Sequence, residues 1–240
     1  MISVAAVDLA TGRRFERNAH AVMPAASTIK VLVSAALWTA VELGDIDPDR
    51  RVAVSATPAP GGGGLLESMH PRTALTLADL DLLMLAVSDN AATNVLIEVV
   101  SLDAANRLAS DLGLAHTRLR RPMMDTEAAA RGDDNTTCAA DMVALMCALA
   151  RADRIPVRAC RRVLASLAQT QHTDIIPRYL PPGDRVTCCK QGALENVRHD
   201  VGLIEEEGRR VALAVLTAPA ADGDGLARVA ALAHAQVSPN

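Results

Sequence analysis

Two kinds of hydrophobic pattern divide this chain, and their order along it restricts the fold more than any other feature. Strand signals lie only at the ends: Ile2 to Val7 and Arg14 to Arg17, a hairpin around Thr11-Gly12, and then Val186 to Lys190, Arg198 to Ile204 and Val211 to Leu216. Helical periodicity fills the middle, near 28–43, 75–87, 91–112, 138–152 and 157–170, and returns at Asp222 to Gln236, where Leu226, Val229, Ala230 and Leu232 are available for packing. Strands so far apart in sequence bury their faces by meeting in one sheet. The pattern therefore predicts an α/β (α+β) fold: a five-stranded antiparallel sheet from both chain ends with flanking helices, plus an inserted all-helical lobe. The expected organisation is one domain over 1–240, with the sheet lobe in 1–22 and 180–240 and the helical lobe in 23–179. The acidic run Glu205-Glu206-Glu207-Gly208 reads as a solvated turn between the last two strands.

At 240 residues, half of them apolar, a large core is available. It is built from Ala, Leu and Val, because Phe15, Trp38 and Tyr179 are the only aromatics. A net charge of −4 without a basic cluster excludes a nucleic-acid footprint, and three aromatics offer few stacking platforms. The longest apolar segments read as interrupted before membrane-spanning length, so no membrane partner is expected. The N-terminus lacks a basic start followed by an apolar run and cleavage site, which predicts a cytoplasmic protein if Met1 is the native start. Five cysteines, an odd number, favour free thiols. Cys188 and Cys189 point to opposite faces of a strand, with Cys188 on the side of Lys190 and in a packing role.

Chemistry enters with lysine. Only Lys30 and Lys190 occur, against 22 arginines. An arginine stays protonated, whereas a lysine amine can be pushed neutral and accept a proton. Lys30 closes Ser27-Thr28-Ile29-Lys30 at the start of the apolar run Val31 to Val41, which predicts a helix beginning at the serine. A spacing of three puts Lys30 one turn on, within reach of the Ser27 hydroxyl, and the helix N-terminus favours a developing alkoxide. Ser88-Asp89-Asn90 lies in a short loop between two helical runs, and Lys190-Gln191-Gly192 ends a strand, where glycine allows a substrate backbone to approach. Each motif alone is an ordinary cap, turn or strand end.

Together, at gaps of 61 and 102 positions, they resemble the Ser-x-x-Lys, Ser-Asp-Asn and Lys-Thr-Gly set of class A β-lactamases and penicillin-binding proteins. The resemblance extends over nearly the whole chain. Val4 to Arg13 resembles the family's opening hairpin, Ser88 to Asn94 its Ser-Asp-Asn helix start with Thr93 substituted, and Arg131 to Thr137 the exit of its omega loop. The resemblance implies a β-lactamase/transpeptidase-like fold with catalytic Ser27, Lys30, Ser88 and Lys190. It also implies substrate contacts from Asn90, Gln191, Gly192, Ala193 and Arg198, an oxyanion hole formed by the N–H groups of Ser27 and Ala193, and no cofactor or metal. Arg198 is the expected anchor for a substrate carboxylate.

The chain departs from the family at two places. In the stretch Arg120 to Glu127 no acid stands at the spacing of the family's Arg-x-Glu-x-x-Leu-Asn, leaving Asp125 and Glu127 as candidates to activate the deacylating water. Gln191 replaces the Thr or Ser whose hydroxyl binds the β-lactam carboxylate. The expected activity is a serine hydrolase working through an acyl-enzyme on amide or ester bonds, weak or slow on β-lactams. The alternative is a non-hydrolytic acyl-binding protein or transacylase acting as a sensor, a sink or in biosynthetic acyl transfer. The partner is a small molecule: a β-lactam, peptide, ester or thioester. Gly61 to Gly64 reads as a loop over the cleft, and His199-Asp200 as a structural pair.

Overall fold

The computed structural model describes residues 1–53, 61, 64–70, 73–206 and 208–238. Five of its strands form the predicted sheet: β1 (Ile2–Asp8) and β2 (Arg14–Arg17) from the start of the chain, and three more from its end. Among the described residues of the middle span lie four short strands, β3 (Met23–Pro24), β4 (Arg51–Ala53), β5 (Ala74–Thr76) and β6 (Thr136–Thr137), paired β3 with β6 and β4 with β5. The insertion is therefore helical with two small ladders. The remaining strands, β7 (Arg185–Leu194), β8 (Val197–Glu206) and β9 (Arg209–Thr217), give the order β2-β1-β9-β8-β7, antiparallel throughout. β1 pairs with β9 from Ile2↔Thr217 to Asp8↔Val211, so the two chain ends are joined at the sheet centre.

Among the described residues, seven α-helices come from the insertion: α1 (Lys30–Leu43), α2 (Leu77–Ala86), α3 (Asn90–Val100), α4 (Leu102–Asp111), α5 (Thr126–Ala130), α6 (Ala139–Arg151) and α7 (Val157–Leu167). The last, α8 (Gly223–Val237), covers the opposite sheet face. The larger core cluster joins α1 to α3, α6 and α7 with one face of the sheet, and the smaller packs α8 against Val4, Ala6, Leu213 and Val215. The side chains that alternate along β1 and β9 divide between these two clusters, as strand geometry requires.

Several sequence expectations need correction. Helix does not begin at Ser27: a 3-10 turn, Ala26–Ile29, precedes α1. The run 91–112 is broken at Ser101, which takes φ 71° and caps α4 by accepting from Ala104 N. The run Ala26–Leu43, read as too short to span a membrane, is 18 residues long with mean hydropathy 1.4 and passes that test by length and composition. It lies 67% buried inside the protein, every residue from Lys30 to Trp38 being buried, and it ends at Gly44, whose φ of 84° suits a helix C-terminus. Glu205 and Glu206 belong to β8 and pair with Arg185 and Arg209, so they are not a solvated turn; Glu207 lies outside the described residues. Leu232 does not pack: it is 66% exposed, while Leu226 and Ala230 are fully buried.

Candidate active site

The 3-10 turn carrying Ser27 lies against the end of β7. Gly192 explains the closeness: a Cβ there would stand 3.1 Å from Ser27 N and 3.1 Å from the Ala26 methyl. Glycine at this position lets the strand approach the serine backbone. The residue before the serine, Ala26, has φ 47°, a left-handed value that a non-glycine residue adopts at a cost. Ser88 (φ 60°) and Met124 (φ 64°) share this conformation. All three line one cleft of about 380 Å³, together with Ser27, Gly64, Val87, Asn90, Met123, His172, Gln191, Ala193 and Leu194.

Ser88 sits where the two lysines converge. Its hydroxyl is 3.1 Å from Lys30 Nζ and 2.9 Å from Lys190 Nζ. Lys30 Nζ also reaches Ser88 O at 2.6 Å and Asn90 Oδ1 at 2.8 Å, and Lys190 Nζ donates to Gln191 O at 2.8 Å. Ser27 is not among the partners of Lys30; among the described residues its hydroxyl makes no hydrogen bond. Both lysines are fully buried. Burial, then the like charge of Lys190, holds the Lys30 pKa well below the usual lysine range, against the opposing pull of Asp89. Burial also lowers Lys190 to about 8, with Asp200 pulling it back up. A hydroxyl has a single proton, so Ser88 donates to one amine while accepting from the other, an arrangement that suits one neutral and one charged lysine.

Asp89 holds this centre from behind. Its Oδ2 accepts from Leu65 N (2.6 Å) and Leu66 N (2.7 Å), and its Oδ1 caps α3 through Ala92 N (2.9 Å). Asn90 Nδ2 donates to Gly61 O at 3.1 Å, and Gly64 lines the cleft; Gly62 and Gly63, part of the predicted covering loop, lie outside the described residues. Behind Lys190, Asp200 is wholly buried: its Oδ2 accepts from Ile176 N (3.0 Å), its Oδ1 has no partner among the described residues, and burial raises its pKa to about 7. His199, read as structural beside it, bridges elements: its ring bonds Pro24 O (2.8 Å) and accepts from Thr217 N (3.1 Å). Cys188 is buried in the core, and burial raises its pKa to about 12.

The candidate water-activating acids do not reach the cleft. Asp125 spends its Oδ1 capping α5 through Ala128 N (2.9 Å), and the Glu127 side chain is 90% exposed, 4.0 Å from Arg131. The loop that carries them is closed by Arg121, whose Nε and Nη2 both donate to Asp134 Oδ1 (2.9 and 2.7 Å), and by Asn135, which accepts from Arg120 N and Arg121 N. Asn94 grips the Met123 backbone from both sides, accepting from its N–H (2.6 Å) and donating to its carbonyl (3.1 Å). Met123 and Met124 are what this clasped loop contributes to the cleft; among the described residues no carboxylate lines it. Sequence reading missed Asn94, Met123, Met124 and Asp134. A signal existed in Arg121-Pro122-Met123, where the family pattern has Arg-x-Glu.

At the opposite rim, Gln191, Gly192 and Ala193 lie on β7 as expected, and Arg198 on β8. Arg198, the expected carboxylate anchor, already has a carboxylate: its Nη2 is 2.8 Å from Asp174 Oδ2, and Gln191 Nε2 donates to Asp174 Oδ1 at 2.7 Å. Asp174 was not singled out from the sequence.

A family model described as the beta-lactamase enzyme family matches residues 1–237. The chain is 26% identical over 259 residues to the beta-lactamase regulatory protein BlaB of Streptomyces cacaoi, covering 88% of this chain and 82% of that one. Among solved structures it is similar to the beta-lactamase of Sphaerobacter thermophilus DSM 20745, at 30% identity and TM-score 0.87 over 100% of this chain and 93% of that one. A double mutant of the class A beta-lactamase of the last common ancestor of Gram-negative bacteria superposes with TM-score 0.88 at 29% identity, covering 98% and 93%. PBP-A, at 23% identity and TM-score 0.86 over 99% and 88%, shares the fold.

Proposed function

From a chain that belongs to the beta-lactamase enzyme family, we propose a serine hydrolase that is acylated at Ser27 by amide or ester substrates, β-lactams included, and releases the acyl group slowly. The observation that carries this reading is the convergence of two buried lysines on Ser88 Oγ beside a cleft that exposes Ser27 and, among the described residues, contains no carboxylate.

Lys30, held toward its neutral form, takes the Ser27 proton, and the serine oxygen bonds to the substrate carbonyl carbon. Ser27 N–H and Ala193 N–H stabilise the oxyanion. The carbonyl-to-leaving-group bond then breaks. Ser88 passes its proton to the departing nitrogen or oxygen and is re-protonated from the lysine side, with the charged Lys190 favouring the hydroxyl's donation. Asn90 holds the substrate amide. Deacylation needs a base for water, and thioether side chains at 123 and 124 provide none.

A second reading, an acyl-binding sensor or sink that is loaded once, is favoured by the same two methionines and by similarity to a regulatory protein. Intact-protein mass after mixing with benzylpenicillin, followed by peptide mapping, tests the proposal. A Ser27 adduct persisting for minutes is expected, with slow sustained product release for a hydrolase and a single equivalent for a sensor. An adduct that also forms on Ser27→Ala overturns the assignment.

A further inference from the structure

Asp174 stands on the segment between α7 and β7, and its carboxylate takes two donors at once. Arg198 Nη2 lies 2.8 Å from Oδ2 and Gln191 Nε2 lies 2.7 Å from Oδ1. Gln191 lines the cleft, and Arg198 is the cation expected to receive a substrate carboxylate at this rim. Lys30 and Lys190 face elsewhere, since they spend their protons on Ser88, Asn90 and the Gln191 carbonyl. An incoming carboxylate thus meets an arginine that is already matched, a Gln191 amide turned to another acceptor, and a fixed negative charge beside both.

Resting on the acyl-serine reading above, we infer that Asp174 is a specificity-determining residue: it supplies from within the protein the carboxylate that a substrate would otherwise bring. The site therefore favours neutral esters and amides over substrates with a carboxylate on the leaving side. The remainder of the cleft agrees with an apolar, uncharged acyl group, because Val87, Met123, Met124, Ala193 and Leu194 line it. Arg198 and Asp174 are 38% and 51% exposed, so water screens the pair and the filter is modest, not absolute.

The test compares acylation of Ser27 by benzylpenicillin and by its methyl ester, which differ only in that carboxylate. In the wild type the ratio of their second-order acylation constants, free acid over methyl ester, is expected to lie below one, by no more than about fivefold for so exposed a pair. Asp174→Asn should move the ratio toward the free acid by about fivefold, the scale of one exposed charge pair. Arg198→Ala should shift the wild-type ratio less than about twofold yet cancel the gain in the Asp174→Asn background, a coupling that a merely structural role for Asp174 does not produce. A ratio unmoved by Asp174→Asn, or a wild type already favouring the free acid by more than about tenfold, overturns the inference while leaving the acyl-serine reading intact. Absence of any Ser27 adduct with either compound overturns both.

Discussion

The two walls of the cleft are built to different standards. On the wall of α1, α3 and β7, polar groups converge on Ser88: its Oγ touches both lysine nitrogens, Asn90 bonds Lys30, and Asp89 ties Leu65 and Leu66 to the helix start. On the wall from Arg121 to Asp134, the scaffolding is equally firm, with Arg121 clasped to Asp134 and Asn94 gripping Met123, yet it presents two thioethers. A buried cluster of ionisable groups is costly unless its members satisfy one another, which fits the chemistry proposed for the first wall. The second keeps its shape without a base. Forming an acyl-enzyme and clearing it are separate tasks, and on the proposed function this protein is equipped for the first.

The largest expected effect probes the first wall. Lys30→Arg keeps the charge but removes the ability to lose a proton, so acylation of Ser27 should fall by about 10²–10⁴-fold, the range for losing a general base. Lys190→Arg keeps what that position supplies and should cost about tenfold or less by the same scale. Stopped-flow acylation with a fluorescent penicillin separates them; equal losses break the division of roles.

Next comes repair of the second wall. Met123→Glu puts a carboxylate on a backbone already held by Asn94, in the lining of the cleft that exposes Ser27. Deacylation should accelerate by about 10²-fold, the lower end of what general-base catalysis provides, with acylation little changed. The lifetime of the adduct by intact mass measures it. An unchanged lifetime means the second wall is not what limits turnover.

A smaller effect, about tenfold per pH unit on each limb, comes from the lysines' ionisation. Lys30 must be neutral to accept a proton, and burial beside Lys190 holds its pKa low, so acylation rises as pH climbs through that depressed value. Lys190 works charged, and its pKa is lowered to about 8, so acylation falls again above that pH. Lys190→Arg, which stays protonated, should flatten the alkaline limb. A pH profile in which the alkaline fall survives that substitution assigns it to another group.

The same contrast explains what was legible in the sequence. Ser27, Lys30, Ser88 and Lys190 stood out because the chemistry proposed for them needs particular residue types in short motifs, and the two-ended strand pattern gave the sheet with strands that needed only lengthening. Partners far apart in sequence carry no such mark: Asp174 meets Arg198 across 24 residues and Asn94 meets Met123 across 29. Ser101 read as helix because the apolar period runs through it, while its hydroxyl serves as a cap, the alternative such residues offer. Leu232 read as core, but six residues beyond Leu226 is about 240° around a helix, away from the face of Leu226, Ala230 and Val237.

The smallest effect is a predicted silence, and it is the strictest check on the second wall. Asp125 and Glu127 are the only acids in the stretch where the family keeps its water-activating glutamate, and their positions give them other work: one caps α5, the other reaches into solvent toward Arg131. Asp125→Asn retains an oxygen for Ala128 N, so the cap survives, and Glu127→Gln gives up only an exposed pair of little worth. Neither substitution should alter the lifetime of the Ser27 adduct by more than about twofold, since neither removes a group that contacts the cleft. A markedly longer-lived adduct in either variant requires the loop to rearrange once the serine is acylated, swinging an acid inward past Met123. That motion must break the grip of Asn94 on the Met123 backbone, so Asn94→Ala would then shorten the adduct's lifetime, whereas in the structure as it stands the same change only loosens a wall that has no base to deliver.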